Sequence, residues 1–194
     1  MRRSERNMKT WFQLVLLFSA IAIVPAENPA WAKSQSSDEY VWSHGAHFKL
    51  NNAGVKKMNE GDFHGAITDF SKAIAAWKSS TEGSSELRNR GIALALSNRA
   101  LAKKKLQDRQ GALADYKEAL QSAPTNFMIL APRASLKEEL RDYKGAIGDY
   151  TELIRLNPAS QASYLRSRAK AKFEMGDMAG AHQDRIKASN WNRI

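Results

Sequence analysis

Two histidines three residues apart are the first residues in this chain whose types and spacing could do chemistry. In His44-Gly-Ala-His47 the two imidazoles would share one face of a helix, a spacing that can hold a metal ion. The chain has no cysteine, and its other two histidines lie far away in sequence. We therefore predict no metal site and no cofactor, and we interpret His44 and His47 as solvent-facing side chains near an aromatic cluster.

The motifs of covalent and phosphate-transfer catalysis are missing from the sequence. No serine lies in a Gly-x-Ser-x-Gly turn, no glycine-rich loop follows a strand pattern, and no pair of carboxylates departs from the sequence repeats. We therefore expect a protein that is not an enzyme and that acts by binding.

Basic residues outnumber acidic residues, 30 to 20, which gives a formal net charge of +10. The nearest approach to a nucleic-acid patch combines the run Lys103 to Lys105 with Arg166, Lys170 and Lys172. Few aromatic side chains lie among them, whereas single-stranded nucleic acids are bound by interleaved basic and aromatic residues. We interpret these residues as solvated helix faces, which disfavours a nucleic-acid partner and leaves an anionic membrane or envelope surface as an alternative partner.

A repeated helical element must position all of these residues, because one pattern recurs four times around an alanine. A leucine lies sixteen residues before each of these anchor alanines, a small residue twelve before, one aspartate four before and another three after. The anchor alanines are Ala66, Ala112, Ala146 and Ala181, and they are 46, 34 and 35 residues apart. A period near 34 residues is typical of helix-turn-helix units that stack into a solenoid and bury their apolar faces against each other.

Further residues in register with the anchors identify the kind of repeat. An aromatic residue follows the first three anchors by four positions, and a proline follows two of them by twelve, where a second helix should stop. These residues are Phe70, Tyr116 and Tyr150, followed by Pro124 and Pro158. Together with the segment Asn98-Arg99-Ala100, the pattern resembles the tetratricopeptide repeat family over about residues 47–194. The resemblance implies an all-α fold, a right-handed α-α superhelix of about four helix-turn-helix repeats, with a concave groove that binds another protein or a peptide.

The units fall at about residues 47–80, 93–126, 127–160 and 162–194, with an insert near residues 79–92. Ser85 and Glu86 offer a helix start, so the insert lengthens the next helix, which we expect to run to about Leu106. Pro132 lies inside the first helix of the third unit, and it should kink that helix unless the helix starts at Ala131.

The first 32 residues have the features of a secretory signal peptide. A basic start is followed by the apolar run Leu14 to Val24 and by Ala30-Trp31-Ala32, a small-x-small cleavage site. The apolar segment is too short for a membrane-spanning helix, which needs about 20 residues. We predict cleavage after Ala32, a leader over residues 33–46, and an exported periplasmic or secreted protein with no transmembrane span in the mature chain. An uncleaved amphipathic or buried first helix is the alternative.

The resemblance implies that the first helix of each unit lines the groove. Counting back from the anchors gives the candidate partner-binding residues Phe48, Asn51, Val55, Met58, Leu94, Ser97, Asn98, Leu101, Lys104, Arg166 and Lys170. The same count in the third unit gives Met128, Ala131, Ser135 and Glu138. The early half of the groove is apolar and the late half is charged. Chaperone-binding members of the family hold a terminal carboxylate with basic and asparagine residues, and only Asn98 matches that set here.

Arginines and aspartates in register suggest structural ion pairs between helices. The arginines Arg99, Arg133 and Arg168 lie thirteen residues before their anchors, and the aspartates Asp69, Asp115, Asp149 and Asp184 lie three after. Each arginine could pair within its unit, as Arg99 with Asp115, or with the preceding unit, as Arg99 with Asp69. The first unit has Ala53 in place of the arginine and no preceding unit, which favours the second pairing and leaves Asp184 free. Independent surface charges are the alternative.

Overall fold

The structure is a computed structural model that describes residues 45–191. Within this range the chain forms eight α-helices, one short 3-10 helix and no strand. The helices are α1 (Ala46–Asn59), α2 (Phe63–Ser79), α3 (Ser85–Lys105), α4 (Arg109–Ser122), α5 (Phe127–Glu139), α6 (Tyr143–Leu156), α7 (Gln161–Glu174) and α8 (Met178–Asn190), with the 3-10 turn Pro158–Ser160 before α7.

Consecutive helices pack as hairpins, α1 with α2, α3 with α4, α5 with α6 and α7 with α8. The second helix of each hairpin also packs against the first helix of the next hairpin, which makes the array a solenoid. All four anchor alanines are at most 1% exposed, because a small side chain lets the two helices of a hairpin approach closely. The predicted all-α repeat fold is confirmed.

One turn geometry joins the two helices of every hairpin. The residue five before the anchor has a positive φ, and backbone hydrogen bonds close the turn as in a Schellman motif. These residues are Gly61, Gln107, Arg141 and Gly176. The next residue is the aspartate four before the anchor, whose carboxylate accepts a hydrogen bond from the amide of the glycine just before the anchor. The sequence analysis missed that glycine, although it recurs at every anchor. A Cβ on Gly65 would lie 2.0 Å from the Asp62 carboxylate.

The insert becomes helix at both of its ends. Helix α2 runs to Ser79, and α3 begins at Ser85 as expected, with Ser84 as its cap: the Ser84 hydroxyl accepts from the Leu87 amide at 3.1 Å. The added length brings Trp77 against Gly91, where a Cβ would lie 2.1 Å from the indole ring. Only glycine at residue 91 leaves room for this packing.

The prediction that His47 faces the solvent was wrong. Its ring centroid lies 3.5 Å from that of Trp77, and the residue is 4% exposed, so it belongs to the packing of the lengthened hairpin. His44 lies outside the described residues.

The prolines lie near helix boundaries with one exception. Helices α4 and α6 end two residues before Pro124 and Pro158, as predicted. Helix α5 starts at Phe127 rather than Ala131, so Pro132 lies in its interior. The carbonyl of Met128 therefore lacks the amide donor that residue 132 would otherwise supply.

Helix α8 presents a different outer face from the other second helices. The positions one, four and eight residues after the anchor are apolar or aromatic in the first three hairpins. In α8 they are His182, Arg185 and Ser189, all exposed. Ile186, five residues after the anchor, is 46% exposed, at the position where Ser71 and Thr151 contact the next hairpin. The exposed face of α8 is therefore polar at these three positions and apolar at Ile186.

The arginines pair with aspartates of their own hairpins. Each guanidinium donates two hydrogen bonds of 2.6–2.9 Å to one aspartate. Arg99 binds Asp115, Arg133 binds Asp149 and Arg168 binds Asp184. The inter-unit pairing favoured in the sequence analysis, Arg99 with Asp69, Arg133 with Asp115 and Arg168 with Asp149, was therefore wrong, and Asp184 is not free. Residues thirteen before and three after the anchor are equally far from the hairpin turn, so antiparallel helices place them side by side.

A lysine in register with the anchors also binds each of the four aspartates, a role that the sequence analysis did not assign. It lies nine residues before the anchor and contacts the same aspartate, as Lys57 with Asp69, Lys103 with Asp115, Lys137 with Asp149 and Lys172 with Asp184, at 2.7–2.9 Å. The four aspartates are 2–6% exposed. Burial alone would raise the pKa of the Asp184 carboxyl, but hydrogen bonds from Arg168 and Lys172 outweigh it and hold that pKa below its usual value.

The arginines also reach the preceding hairpin through a hydroxyl. The Nη1 group of Arg99 donates to Ser71 and that of Arg168 to Thr151, both at 3.0 Å. The corresponding residue for Arg133 is Lys117, which is a cation and offers no such acceptor. The first unit has Ala53 in place of the arginine, and there Lys57 binds Asp69 at 2.7 Å.

We expect the Arg133 and Asp149 side chains to be energetically coupled. A double-mutant cycle with Arg133→Ala and Asp149→Ala should give a coupling free energy of about 1–3 kcal/mol, because the pair is mostly buried. The matched cycle of Arg133→Ala with Asp115→Ala should give a value within about 0.5 kcal/mol of zero. Chemical unfolding measures both. Equal coupling in the two cycles would contradict the intra-hairpin assignment.

Two glycine substitutions should have opposite effects on stability. Gly148 lies in α6 with open space around it, so Gly148→Ala should raise the free energy of unfolding by about 0.5–1 kcal/mol. Gly61 has a φ of +85°, so Gly61→Ala should lower it by about 1 kcal/mol. Thermal and urea unfolding would test this, and stabilisation by Gly61→Ala would show that the turn geometry is wrong.

Candidate binding groove

The first helices leave several apolar side chains uncovered. Leu94 and Leu101 on α3 are 38% and 37% exposed, and Met128 on α5 is 73% exposed. All three occupy positions that the sequence analysis assigned to the groove. Val55 and Met58 on α1 are only partly buried, and they pack beside a small cluster around Phe70. The positions predicted to line the groove therefore include apolar side chains that the described residues leave exposed.

This exposure is confined to the first helices in most of the described chain. Between α1 and α6, the exposed large hydrophobic residues are Leu94, Leu101, Phe127 and Met128, and all lie on α3 or α5. The second helices α2, α4 and α6 expose none. The exposed members Leu94, Leu101, Phe127 and Met128 therefore contribute less burial to the stack than the covered apolar residues of α2, α4 and α6 do.

Two asparagines of the predicted groove form a hydrogen bond with each other between helices. The Asn98 amide donates to the Asn51 side-chain oxygen at 3.1 Å, which joins α1 to α3. Asn51 is only 6% exposed. The structure therefore places Asn51 between helices and not on an open groove surface. Phe48 and Ser97 are half-buried.

The lysine run from Lys103 to Lys105 does not form one surface. Lys103 binds Asp115, and Lys104 binds Glu139 on α5 at 2.6 Å, while Lys105 is exposed. Glu139 also lies 3.7 Å from Arg109. Ion pairs therefore occupy two of the three lysines that sequence analysis considered as a nucleic-acid patch. Lys172, from the same candidate patch, is paired with Asp184.

A tyrosine and a glutamate connect the groove to the second helices. The Tyr150 hydroxyl on α6 donates to the Glu138 carboxylate on α5 at 3.1 Å. Burial, together with the negative charge of Glu138, raises the pKa of Tyr150 well above its ordinary value. The hydroxyl thus stays protonated, and it keeps its role as a donor to Glu138.

Two cations of the groove on α7 have no such partner. Arg166 and Lys170 are exposed, lie four residues apart on one helix face, and make no ion pair within residues 45–191. The nearby Arg185 guanidinium on α8 lies 5.6 Å from the centre of the Phe173 ring. Arg166 and Lys170 therefore share one face of α7, with Phe173 further along the same helix, and their place in the groove stays a prediction.

The described residues hold no cluster of three or more histidine, cysteine, aspartate or glutamate side chains placed to bind a metal ion. No helix in the same range has the length and apolar character needed to cross a membrane.

Solved structures share this architecture at low sequence identity. A structure of MamA has a TM-score of 0.64 at 14% identity, covering 87% of this chain and 97% of that one. A tetratricopeptide repeat protein from Parabacteroides merdae has a TM-score of 0.61 at 25% identity, covering 71% of this chain and 50% of that one. The first tetratricopeptide repeat domain of Spaghetti (RPAP3), bound to the HSP90 peptide SRMEEVD, has a TM-score of 0.55 at 18% identity, covering 67% of this chain and 95% of that one.

No protein-family model matches the chain, and neither does any curated protein. The structural neighbours and the hairpin geometry nevertheless agree with the resemblance drawn from the anchor residues. The described part of this chain has the fold of a tetratricopeptide repeat solenoid.

Proposed function

We propose that this protein is a non-catalytic scaffold that holds a peptide or a segment of another protein in the groove of its solenoid. The exposed apolar surface of Leu94, Leu101 and Met128 carries the proposal. A partner that covered these side chains would remove apolar area from water, which is the main driving force of protein association. A concave face lined by helices suits an amphipathic or extended segment.

Two structural neighbours support a peptide ligand. One is the RPAP3 domain with the HSP90 peptide, and another is the second tetratricopeptide repeat domain of human RPAP3 in complex with the HSP70 peptide SGPTIEEVD, which has a TM-score of 0.52 at 21% identity. The mode of recognition differs in our proposal. Asn98 is the only residue of this chain that matches the carboxylate-holding set, and its amide is bonded to Asn51.

The alternative function is peripheral binding to an anionic membrane or envelope surface through basic patches. Ion pairs within the fold already occupy Lys103, Lys104 and Lys172, which leaves Lys105, Arg166 and Lys170 as the exposed cations of the predicted patch. An exposed cation outside a network contributes less than about 1 kcal/mol. The groove is therefore the better-supported site.

We also propose that the protein is exported, on the strength of its first 32 residues, which lie outside the described range. The mature chain should begin at Lys33, because Ala30 and Ala32 form the small-x-small site. Mass spectrometry of the exported protein would test this. A retained leader would contradict cleavage and favour an anchored form.

Replacing groove residues should weaken partner binding without unfolding the protein. As the probe we choose peptides selected from a random twelve-residue display library against the full chain. Leu101→Ser combined with Met128→Ser should reduce the affinity of such a peptide by about ten-fold or more, because each anchor loses buried apolar area. Fluorescence anisotropy measures this effect, and circular dichroism checks the fold.

Ile186→Ser is the matched control, since Ile186 is 46% exposed on α8, outside the predicted groove residues. It should change the affinity less than about two-fold. If the library gave no binder, and phosphatidylglycerol vesicles instead bound at low but not at high salt, the alternative function would be favoured.

A further inference from the structure

The hairpins are joined least firmly between the second hairpin, α3 with α4, and the third hairpin, α5 with α6. Helices α4 and α5 contact each other less than α2 and α3 or α6 and α7 do. In a solenoid each unit is held by its neighbours, so the array bends most easily at its weakest junction. The predicted groove residues Leu94 and Leu101 lie on one side of this middle junction, and Met128 lies on the other.

A hydrogen bond that recurs at the other two junctions is absent from the middle junction. Elsewhere the arginine thirteen residues before the anchor donates to a hydroxyl of the preceding hairpin, at Ser71 and at Thr151, both at 3.0 Å. At the middle junction the arginine is Arg133, and Lys117 replaces the hydroxyl. Two cations therefore occupy the positions that elsewhere bind each other, and like charges repel.

Helix α5 also lacks one of its own hydrogen bonds. Pro132 has no amide to donate to the Met128 carbonyl, so one bond between the first turn of α5 and the rest of the helix is missing. A proline inside a helix is a common cause of a bend. Met128 lies before the proline and is 73% exposed. The turn that carries this groove residue is therefore held less firmly than the remainder of α5.

Ion pairs link the two hairpins at the end of α5. Glu139, the last residue of α5, lies 2.6 Å from Lys104 near the end of α3 and 3.7 Å from Arg109 at the start of α4. Within residues 45–191 these are the ion pairs that cross the middle junction. The three side chains are 30–43% exposed, so dissolved salt screens their attraction.

The apolar core continues across the middle junction. Leu120 on α4 belongs to the same buried cluster as Ile129 and Leu130 on α5. Separating the two hairpins would expose these side chains to water, which is costly, whereas a small change in the angle between the hairpins would not. The junction is therefore suited to bending and not to separation.

We propose that the solenoid bends at the middle junction, and that the ion pairs of Glu139 with Lys104 and Arg109 restrain this hinge. Bending changes the separation of Leu101 on α3 from Met128 on α5, so a bound segment that contacts both side chains selects one hinge angle. The bending itself is independent of the proposed function. Its coupling to a bound segment rests on that function.

Spin labels measure the bending at each junction separately, because the chain has no cysteine and labels can be attached at chosen sites. The residues two positions after the anchors are exposed in all four hairpins. Cysteines would be introduced in pairs in neighbouring hairpins, from Thr68→Cys, Ala114→Cys, Gly148→Cys and Gln183→Cys. Double electron–electron resonance then gives the distribution of distances for each pair. We expect a wider distribution for the middle pair, at Ala114 and Gly148, than for the other two pairs.

Two substitutions should change the hinge in opposite directions. Glu139→Gln should widen the distribution of the middle pair and raise amide hydrogen exchange in the first half of α5 by about two- to five-fold, the effect of losing an exposed ion pair. Lys117→Ser supplies the missing hydroxyl to Arg133 and should narrow the distribution.

Glu118→Gln is the matched control for Glu139→Gln. It removes the same charge, but it breaks the 2.8 Å ion pair of Glu118 with Lys78, which joins the first hairpin to the second. It should leave the distribution of the middle pair unchanged. Equal widths for the three pairs would overturn the hinge, and so would a middle pair that responds to neither Glu139→Gln nor Lys117→Ser.

Titration with a display-selected twelve-residue peptide tests the coupling to the groove. Saturating peptide should narrow the distribution of the middle pair. A peptide that binds and leaves this distribution as wide as before would overturn the coupling and leave the scaffold function standing. A library that yields no binder would contradict the proposed function and the coupling together, while the distributions of the free protein would still decide whether the hinge exists.

Discussion

A helical hairpin of this size cannot bury both of its apolar faces alone, and the whole structure depends on that constraint. The second helices α2, α4 and α6 are each covered by their own first helix on one side and by the next hairpin on the other. The small anchor alanines permit the close approach that this stacking requires. In α8, where the described stack ends, the positions that the earlier second helices cover are exposed.

Because of the same constraint, the exposure of apolar side chains at the predicted groove positions points to a role other than stacking. An apolar side chain on a second helix has a place in the stack, and those of the first three hairpins are covered. Leu94, Leu101 and Met128 are exposed instead, so packing among residues 45–191 does not account for them. Charged groups also divide into buried and exposed sets. The aspartates between the helices of a hairpin form ion pairs with arginine and lysine. Arg166 and Lys170, in contrast, are exposed and have no ion-pair partner among the described residues.

Residues whose role is local were predictable from the sequence. The anchor alanines, the prolines after α4 and α6, and the start of α3 follow from spacing and from helix-terminal preferences, which act over one or two turns. The recurring lysine nine residues before each anchor carried an equally regular signal, but its role emerges only when both helices of the hairpin are in place.

Residues whose role depends on packing between elements were not predictable in the same way. Predicting the arginine pairs required knowing which positions face each other across the hairpin turn. The absence of an arginine in the first unit had instead favoured pairing with an aspartate of the preceding unit, which was wrong. His47 was interpreted as exposed because its contact with Trp77 arises from the insert, whose length lies outside the repeat pattern. The groove residues could be enumerated from the repeat register, but only the structure shows that Asn51 is buried while Met128 is exposed.

Methionine methyl NMR tests the central claim most directly, because Met128 lies in the groove while Met175 and Met178 are exposed on the last hairpin. The protein would be labelled at its methionine methyl groups and titrated with a selected twelve-residue peptide. The account predicts a large, saturable shift of the Met128 resonance, with Met175 and Met178 unchanged. An unchanged Met128 resonance at saturating peptide, with shifts at Met175 or Met178, would place the binding site elsewhere and contradict the account.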